Sequence, residues 1–280
     1  MKKPLTLTIV IPAYNEEDQI EQCLQAIAQQ SEMPDEVIVV DNNSSDSTVE
    51  IVKNFPFVTL LHEKRQGLRF TRDTGVAAAT GEIIGRIDAD TRISEGWCAR
   101  IKEIFANQRI DAASGPCYYH DMPAQRTGFK ADRLIRRALF KADGKPILYG
   151  SNMVFRKTSW ERVAKKLCTK GAFFEDVDIT IHLRELHMKA IYDEELIVGV
   201  SSRRLEDSPK EFYTNMQMHT TTFLRHGLRP SIASQSGKYI YLATYPPLKI
   251  LRRAYDPKTG KLSAKKLIKA PAKPRPTSNT

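Results

Sequence analysis

Apolar and polar positions alternate in blocks along the first ninety residues. Residues 5–11 and 37–40 are runs of β-branched and apolar side chains, a pattern typical of buried strands. Between them, apolar residues recur at helical spacing, which predicts a helix capped by Asn15 that ends near Gln30. The chain therefore opens with a strand, a helix and a second strand.

The same pattern predicts a helix over 47–54, a strand over 58–61, a helix over 71–79 and a strand over 83–87. Strands that alternate with helices form parallel sheets whose crossover helices cover the faces. In such sheets, ligands bind beyond the carboxyl ends of the strands. The sequence thus predicts an α/β fold, a Rossmann-like and mostly parallel sheet flanked by helices, with a site along one edge.

The second half of the chain has weaker periodicity. It predicts a helix over 95–107, a strand over 112–119, a basic amphipathic segment over 129–141, a strand entered from a loop over 148–156, a helix that starts within 171–178, a short strand over 196–200 and a helix over 212–228.

Polar residues follow three of the predicted strands, at Pro12–Glu16, Asp41–Asp46 and Asp88–Asp90. Because these strands are predicted to be parallel, their polar ends fall on the same edge of the sheet. Asp88 and Asp90 stand one residue apart. That spacing is ordinary in turns, but it also suits oxygen coordination of a hard divalent cation on a diphosphate. The shared edge favours the second interpretation.

The four cysteines are scattered through the 280 residues without a Cys-x-x-Cys pair, which favours a reducing compartment over a disulfide framework or zinc ribbon. The short, interrupted apolar stretch after Met1 does not resemble a secretory signal. No window of about 18 residues is uninterruptedly apolar. We therefore expect a cytoplasmic protein.

The net charge of +10 falls entirely in residues 206–280, which hold fourteen Lys/Arg and four Asp/Glu. Such a segment favours an anionic partner, either a membrane surface or nucleic acid, although the last 25 residues also suit a disordered, solubilising tail. Residues 239–253 mix aromatic and aliphatic side chains and end in two arginines. This stretch predicts either a membrane interface or a segment that packs back on the body of the protein.

Five segments, in this order and spacing, resemble family 2 glycosyltransferases of the GT-A fold. They are 11–17, 39–48, Gly81-Glu82, Asp88-Ala89-Asp90 and Glu175-Asp176. The resemblance covers residues 5 to about 205. It implies an inverting enzyme that moves a sugar from a nucleotide diphosphate to an acceptor hydroxyl of a lipid or glycan.

The resemblance implies that the loops after the first two strands flank the nucleoside. Contacts are expected from Pro12, Tyr14, Glu16, Val40 and Asn42. The family often has a second Asp at the position of Asn42, where the side chain accepts a hydrogen bond from the base. The amide of Asn42 can both accept and donate, so a UDP-sugar and a GDP-sugar both remain possible donors.

The resemblance also implies the reacting groups. Asp88 and Asp90 would hold Mg²⁺ or Mn²⁺, with Asp88 and Ala89 close to the diphosphate. Arg72, in the segment before the fourth strand, could help to bind the phosphates or could lie on a solvated helix face. Asn152, in the small-residue loop Gly150–Asn152, would lie near the donor sugar.

Asp176 would be the general base and Glu175 the neighbouring acid, an interpretation that competes with simple capping of a helix by acidic residues. Arg203 or Arg204 could pair with the diphosphate, or both could be surface cations.

The predicted domains are a GT-A glycosyltransferase domain over 1–205, a helical or interfacial and basic extension over 206–252, and a basic, flexible tail over 253–280. Such an enzyme could act in cell-envelope biosynthesis, peripherally on the inner membrane surface.

Two alternatives stay open, a metal-dependent nucleotidyltransferase and a catalytically silent module that binds nucleotide sugars. The acidic loop after the first strand disfavours the nucleotidyltransferase, and the absence of Gly-x-Gly-x-x-Gly there disfavours a dehydrogenase. No nucleic-acid-binding motif is present, so nucleic acid is not expected as a partner.

Overall fold

The structure is a computed structural model that describes residues 4–143, 148–168, 173–257 and 259–264. Its strands are β1 (Leu7–Ala13), β2 (Glu36–Asp41), β3 (Val58–His62), β4 (Ile83–Arg86), β5 (Arg92–Ile93), β6 (Ala112–Ser114), β7 (Cys117–Tyr119), β8 (Met153–Arg156), β9 (Ala190–Tyr192), β10 (Val198–Val200), β11 (Tyr255–Asp256) and β12 (Lys261–Leu262).

The α-helices of the described residues are α1 (Ile20–Ala28), α2 (Thr48–Lys53), α3 (Leu68–Ala78), α4 (Trp97–Ala106), α5 (Gln125–Asp143), α6 (Lys157–Ala164), α7 (Glu175–Glu185), α8 (Pro209–Arg225) and α9 (Ile232–Ala254). A short 3₁₀ helix covers Arg203–Glu206.

The central sheet has the strand order β3-β2-β1-β4-β8-β6-β9. Strands β1 to β4 pair in parallel, and β8 is antiparallel to both β4 and β6. The four strands predicted in the first ninety residues are all present, joined by helices as expected. The predicted α/β class with a mostly parallel sheet is confirmed.

Side chains of β1 alternate between the two faces of the sheet, so that Ile9 and Ile11 enter one apolar core and Val10 enters the other. Helix α3 lies very close to the second face. A Cβ added at Gly75 would come within 2.4 Å of Val10 Cγ1. Only glycine allows this approach, which fixes the position of α3 over β1 and β2.

Two expectations near the first strand are wrong. Pro12 does not break β1 but pairs with Val40 inside the sheet. Asn15 does not cap a helix, because α1 begins five residues later and Asn15 has a positive φ of 52°. Its side chain instead accepts a hydrogen bond from the Ser45 N–H at 2.8 Å, which ties the loop after β1 to the loop after β2.

The single strand predicted over 112–119 is two strands in different sheets. β6 belongs to the central sheet, whereas β7 joins β5 and β10 in a small sheet of order β5-β10-β7. The chain turns at Gly115, where an added Cβ would lie 2.1 Å from the Leu196 carbonyl oxygen. Periodicity cannot reveal this change of sheet, because both pieces are apolar and extended.

Helices α8 and α9 pack on the body of the protein. Ser208 and Glu211 form a capping box at the start of α8. Tyr245 of α9 stacks on Phe212 of α8 with ring centroids 4.1 Å apart, and both rings pack with Leu205 and Met122. Residues 239–253 were predicted either to contact a membrane or to pack on the body of the protein. Packing on the protein describes the face of α9 that carries Tyr245.

The two arginines at the end of α9, which could face anionic lipid in one of the two interpretations, form ion pairs within the protein. Arg252 Nη1 lies 2.8 Å from Asp121 Oδ2, and Arg253 Nε lies 3.3 Å from Glu206 Oε2. Their charges are therefore paired within the protein.

Among the described residues, no helix is long and apolar enough to cross a membrane. Part of the predicted flexible tail lies outside the described residues, namely Lys258 and residues 265–280. Residues 144–147 and the start of the segment predicted over 171–178 also lie outside them.

Candidate active site

The polar ends of β1 and β2 are tied into one edge. The Asn42 N–H donates to the Ala13 carbonyl at 2.9 Å, and the Glu16 N–H donates to Thr48 Oγ1 at 2.7 Å. Asp46 accepts hydrogen bonds from Thr48 at the start of α2. The three predicted strand-end clusters thus share one edge of the sheet.

Asn42 holds the loop between β3 and α3. Its amide nitrogen donates to the carbonyl oxygens of Glu63 and Arg65, both at 2.8 Å, and its amide oxygen accepts from the Gly67 N–H at 2.8 Å. The side chain is 3% exposed. Its NH2 group is therefore occupied within the protein, and only the remaining lone pair of the oxygen could reach a base.

The other residues expected near the nucleoside differ in exposure. Tyr14 is half-buried at the sheet edge, and the side chain of Val40 lies in the apolar core. Pro12 is buried inside β1. A contact from Val40 to a ligand would therefore involve its backbone rather than its side chain.

An acidic cluster lies beyond β4. Arg203 Nη2 contacts Glu16 Oε2 at 2.6 Å and Asp90 Oδ2 at 3.0 Å, so one guanidinium joins the loop after β1 to the loop after β4. The Asp90 side chain is 5% exposed. His120 Nε2 lies 3.0 Å from the Asp90 carbonyl oxygen and can donate to it. Burial, followed by the charge of Arg92, lowers the pKa of His120.

The residues of this cluster fit a divalent cation. Asp88, Asp90 and Glu16 supply carboxylate oxygens, the ligands that Mg²⁺ and Mn²⁺ prefer. The Cys23 thiol lies below them, and burial together with the charges of Asp90, Glu16 and Asp88 raises its pKa strongly. Arg203 compensates only part of the negative charge of these three carboxylates, and the remaining charge favours a bound cation.

A second cluster forms where the start of α7 meets β4. Arg86 of β4 is fully buried, with Nη1 3.1 Å from Glu175 Oε1 and Nη2 2.6 Å from Asp176 Oδ1. The Gly150 N–H donates to Asp176 Oδ2 at 2.7 Å. A Cβ added at Gly150 would lie 2.6 Å from Arg86 Nη2 and 2.7 Å from Asp176 Oδ1, so this loop position requires glycine.

Arg72 of α3 connects the two clusters. It pairs with Glu175 through Nη1, and its Nη2 lies 3.3 Å from Asp88 Oδ1. A chain of alternating charges therefore runs from Asp176 through Arg86, Glu175 and Arg72 to Asp88. Residues almost ninety positions apart in sequence become parts of one network.

The network shifts the pKa of its members. Burial by itself would raise the pKa of Glu175, but the charges of Arg72 and Arg86 outweigh it and hold that pKa below the ordinary value. Burial would lower the pKa of Arg72, but Glu175, Asp88 and Asp176 together raise it. Both groups are thus held in their charged forms.

Asn152 lies next to this site without facing it. It is fully buried, its amide nitrogen donates to the Leu196 carbonyl at 2.7 Å, and its amide oxygen accepts from Trp97 Nε1 at 3.2 Å. Its side-chain amide is therefore occupied within the protein, and its expected place near a donor sugar stays a prediction. Asn152 positions the Gly150 loop from within the protein. Ala89 is also buried, at 3% exposure.

Sequence reasoning missed Arg86 and His120. A charged residue inside the apolar run 83–87 was the available signal for Arg86, because a buried charge requires a partner. His120 gave no signal, since its neighbour Asp90 is thirty residues away in sequence. Of the two arginines singled out from sequence, Arg203 reaches the acidic cluster, whereas Arg204 lies near Tyr119.

Chemically, the edge offers two separate capabilities. The carboxylates of Asp88, Asp90 and Glu16, with Arg72 and Arg203 beside them, can hold a cation and the anionic group that it binds. Asp176 offers a carboxylate that two donors orient while 17% of its side chain stays exposed. Such a group can accept a proton from a bound hydroxyl.

Comparison with known proteins identifies the family of this chain. The family model described as Glycosyl transferase family 2 matches residues 8–163, more than half of the chain. The uncharacterized glycosyltransferase YibD of Escherichia coli is 34% identical over 91 residues, which cover 31% of this chain and 26% of YibD. Glycosyltransferase AglE of Haloferax volcanii is 31% identical over 116 residues, 39% of this chain and 38% of AglE. The aligned segments span well under two thirds of these relatives.

Solved structures show the same fold. A mannosyltransferase of Pyrobaculum calidifontis, in complex with GDP-Man and Mn²⁺, aligns with a TM-score of 0.66 at 24% identity and covers 95% of this chain and 79% of its own. Glucosyl-3-phosphoglycerate synthase of Mycobacterium tuberculosis, in complex with Mn²⁺, UDP and glucosyl-3-phosphoglycerate, aligns with a TM-score of 0.58 at 18% identity, covering 81% and 82%. The expected GT-A fold is confirmed.

Proposed function

The chain belongs to glycosyl transferase family 2, and we propose that it is an inverting enzyme that transfers a sugar from a nucleotide diphosphate to an acceptor hydroxyl. One observation carries this proposal. The continuous charge network joins the Asp88–Asp90 edge, suited to a leaving diphosphate, to Asp176, suited to an attacking hydroxyl. A direct displacement needs these two functions side by side but in different groups.

In this proposal, Asp88 and Asp90 hold a divalent cation, Mg²⁺ or Mn²⁺, with Glu16 close by. When bound, the cation neutralises the charge that develops on the departing nucleotide. Arg203 contacts Asp90 and Glu16, and Arg72 contacts Asp88. Both guanidiniums are therefore placed to bind phosphate oxygens as well, by the bidentate geometry that arginine offers.

Asp176 is proposed as the general base. Arg86 and the Gly150 N–H fix the orientation of its carboxylate, and the exposed part of the side chain faces the open edge. Glu175 is proposed as a positioning residue, because both of its oxygens pair with arginines of the network. The nucleoside would lie against Tyr14 and the backbone of residues 40–42.

Both solved relatives described above contain Mn²⁺ and a nucleotide, GDP-Man in one and UDP in the other. They support a divalent cation and a nucleotide-sugar donor for this chain, and they leave uracil and guanine both open. The silent binding module and the nucleotidyltransferase remain the competing functions.

A thermal-shift comparison of UDP and GDP, each with Mn²⁺, tests the donor. At a hundred dissociation constants of free nucleotide, a ligand of the folded state stabilises it by about 2.7 kcal/mol, so the correct base raises the Tm clearly and the wrong one does not. Asp90→Asn is expected to lose the Mn²⁺-dependent part of the shift. No shift with either nucleotide would contradict the proposal.

Product analysis tests the reaction. We expect release of the nucleoside diphosphate and a product whose anomeric configuration, measured by NMR, is opposite to that of the donor. Release of pyrophosphate would instead support nucleotidyl transfer. Binding without any release of nucleotide, over all acceptors offered, would support the silent module.

We also propose that the enzyme is cytoplasmic and acts peripherally at an anionic membrane surface, on a lipid or glycan acceptor. The support is the charge of residues 206–280 and the exposed apolar side chains of α9, Tyr239 and Ile250, at 60% and 59% exposure. Because Arg252 and Arg253 are paired within the protein, the basic residues after 264 would make the contact.

Truncation after residue 264 tests the membrane contact, since it removes none of the described residues. Cosedimentation with vesicles rich in anionic lipid should fall in the truncated protein, while nucleotide-induced thermal shifts stay unchanged. Neutral vesicles serve as the control. Equal binding of both proteins to anionic vesicles would exclude this role of the tail.

A further inference from the structure

A buried group of thiol, imidazole and carboxylate side chains lies around α7, away from the proposed active site. Asp178 is two residues after Asp176, about 200° further around the helix. Its side chain is fully buried. Cys168, in the segment that follows α6, and His226, the residue after α8, approach it from two other parts of the chain. His182 stands one turn along α7.

The distances within this group are short. His226 Nε2 lies 2.6 Å from Asp178 Oδ1, and His182 Nε2 lies 3.5 Å from the same oxygen. Cys168 Sγ is 3.7 Å from His226 Nε2. The ligand atoms of Cys168, Asp178 and His226 all lie within 4.8 Å of one another. Sulfur, nitrogen and oxygen donors from α7, the end of α8 and the segment after α6 therefore lie close together.

The state of His182 points to a missing ligand. Its Nδ1 lies 2.9 Å from Glu185 Oε2 and can donate to it, and in that tautomer Nε2 is the atom that could bind a metal. That Nε2 atom is buried and has no hydrogen-bond partner, in a residue only 6% exposed. It faces Asp178 and, across it, His226, whose ring is 4.9 Å away centroid to centroid.

A histidine that donates one ring nitrogen to a carboxylate and directs the other at a cluster of ligands is the usual arrangement in zinc sites. Bonds of about 2.0–2.3 Å to zinc place tetrahedral ligand atoms roughly 3.3–3.8 Å apart. The distance from His182 to Asp178 and that from Cys168 to His226 fall within this range. The hydrogen bond between His226 and Asp178 would have to lengthen by roughly 0.7 Å. His182, which groups with Glu185 and His226 rather than with Cys168, would have to turn toward the sulfur.

We propose that Cys168, Asp178, His182 and His226 form a structural Zn²⁺ site, with Glu185 orienting His182. Mixed thiolate, imidazole and carboxylate ligands suit zinc, whereas Mg²⁺ and Mn²⁺ favour oxygen ligands. On binding, the Cys168 thiol releases its proton to solvent and the sulfur bonds to the metal.

The site has a clear structural use. It joins the end of α8 to α7 and to the segment after α6, and the first turn of α7 carries Glu175 and Asp176 as well as Asp178. The metal would fasten the C-terminal helices to the catalytic domain and fix the helix that presents the proposed base.

Metal analysis and cobalt spectroscopy of the full chain test the site. After chelator treatment and dialysis against excess Mg²⁺ with limiting Zn²⁺, the wild-type protein should retain one zinc per chain. Co²⁺ in place of zinc should give the charge-transfer band of a thiolate ligand and the visible bands of tetrahedral cobalt. These signals separate the site from the carboxylates of the active-site edge, which lack sulfur.

Cys168→Ser should abolish the thiolate band and weaken zinc binding by more than about a hundredfold, and Glu185→Gln should weaken it about tenfold. Cys117→Ser is the matched control, because Cys117 is also half-buried but contacts Asp132 and Arg136 instead of histidines. The control should bind zinc like the wild type. A wild-type protein without the thiolate band, or Cys168→Ser with full zinc binding, would overturn the proposal, and the first result does not depend on any variant folding.

Discussion

Two carboxylates of α7, Asp176 and Asp178, lie two residues apart and have opposite surroundings. Asp176 contacts a buried arginine and a backbone N–H, and 17% of its side chain is exposed at the sheet edge. Asp178 is completely buried, contacts two histidines and accepts the Cys168 N–H at 2.8 Å. In sequence both belong to the same acidic run.

The comparison shows that one helix can present a candidate catalytic carboxylate on one side and a buried, structural carboxylate on the other. A helical step of two residues turns a side chain to the other side of the helix. Asp176 therefore meets the open end of the sheet, where a ligand can arrive, while Asp178 meets the helices behind it. The identity of the residue is the same, and the environment assigns the role.

The largest expected effect concerns the exposed carboxylate. Asp176→Asn should lower the rate of sugar transfer by about 10²–10⁴-fold, because an amide cannot accept the proton of the acceptor. The thermal shift with nucleotide and Mn²⁺ should remain, since Asp88 and Asp90 are unchanged. Initial rates and thermal shifts on the same preparation measure both.

Asp178→Asn is the matched comparison on the same helix. We expect it to keep transfer within about tenfold, roughly 1.4 kcal/mol in barrier, at a temperature where the variant is folded, and to lower the Tm. Near-normal transfer by Asp176→Asn would contradict the role of Asp176 as general base. Complete loss of transfer in folded Asp178→Asn, with transfer kept in Asp176→Asn, would assign that role to Asp178.

The next effect concerns the arginine that holds the exposed carboxylate. Arg86→Met should lower the free energy of unfolding by about 3–5 kcal/mol, because it leaves Glu175 and Asp176 without their buried cation. Urea denaturation measures it. Arg69→Met removes a half-buried arginine that pairs with Asp73 on the same helix, and it should change stability by less than about 1 kcal/mol. Equal effects of the two variants would show that the network does not stabilise the fold.

The smallest effect is in the dependence of stability on pH. The folded pKa of Glu175 lies below its ordinary value of 4.5, because Arg72 and Arg86 outweigh its burial. The unfolded state therefore binds the proton more readily, and the stabilisation is complete above about pH 4.5 and lost as the pH falls through the folded pKa.

Glu175→Gln should consequently flatten the fall in stability between roughly pH 5 and pH 3, measured by urea denaturation at several pH values. Glu50→Gln, at an exposed surface pair with Lys53, is the control and should keep the wild-type slope. A Glu175→Gln profile parallel to that of the wild type would contradict the effect of the two arginines.

The first ninety residues were largely predictable. Buried strands carry continuous apolar runs and the helices between them have a clear period, so β1 to β4 and their order follow from local pattern. The strand-end placement of Glu16, Asp88 and Asp90 followed as well. Helix α6 and strand β9 were missed, because their apolar residues are few and their packing partners come from distant parts of the chain.

The candidate site was also only partly predictable from the sequence. Asn42 and Asn152 were predicted near the ligand from their positions in motifs, and that pattern did not show the hydrogen bonds that their buried amides form within the fold. In the fold, the Gly67 N–H, Trp97 and carbonyl groups occupy them. No local sequence pattern shows which backbone groups of the fold will take a side chain as their hydrogen-bond partner.

The sequence by itself determined the parallel sheet, its polar edge, the order of the family motifs and the basic C-terminal segment, because these depend on short-range periodicity and composition. The tertiary structure decided which charges meet. Arg86, Arg203 and His226 lie far in sequence from the acids that they contact. Buried charges are stable only in pairs, and the pairing depends on how the helices cross the sheet.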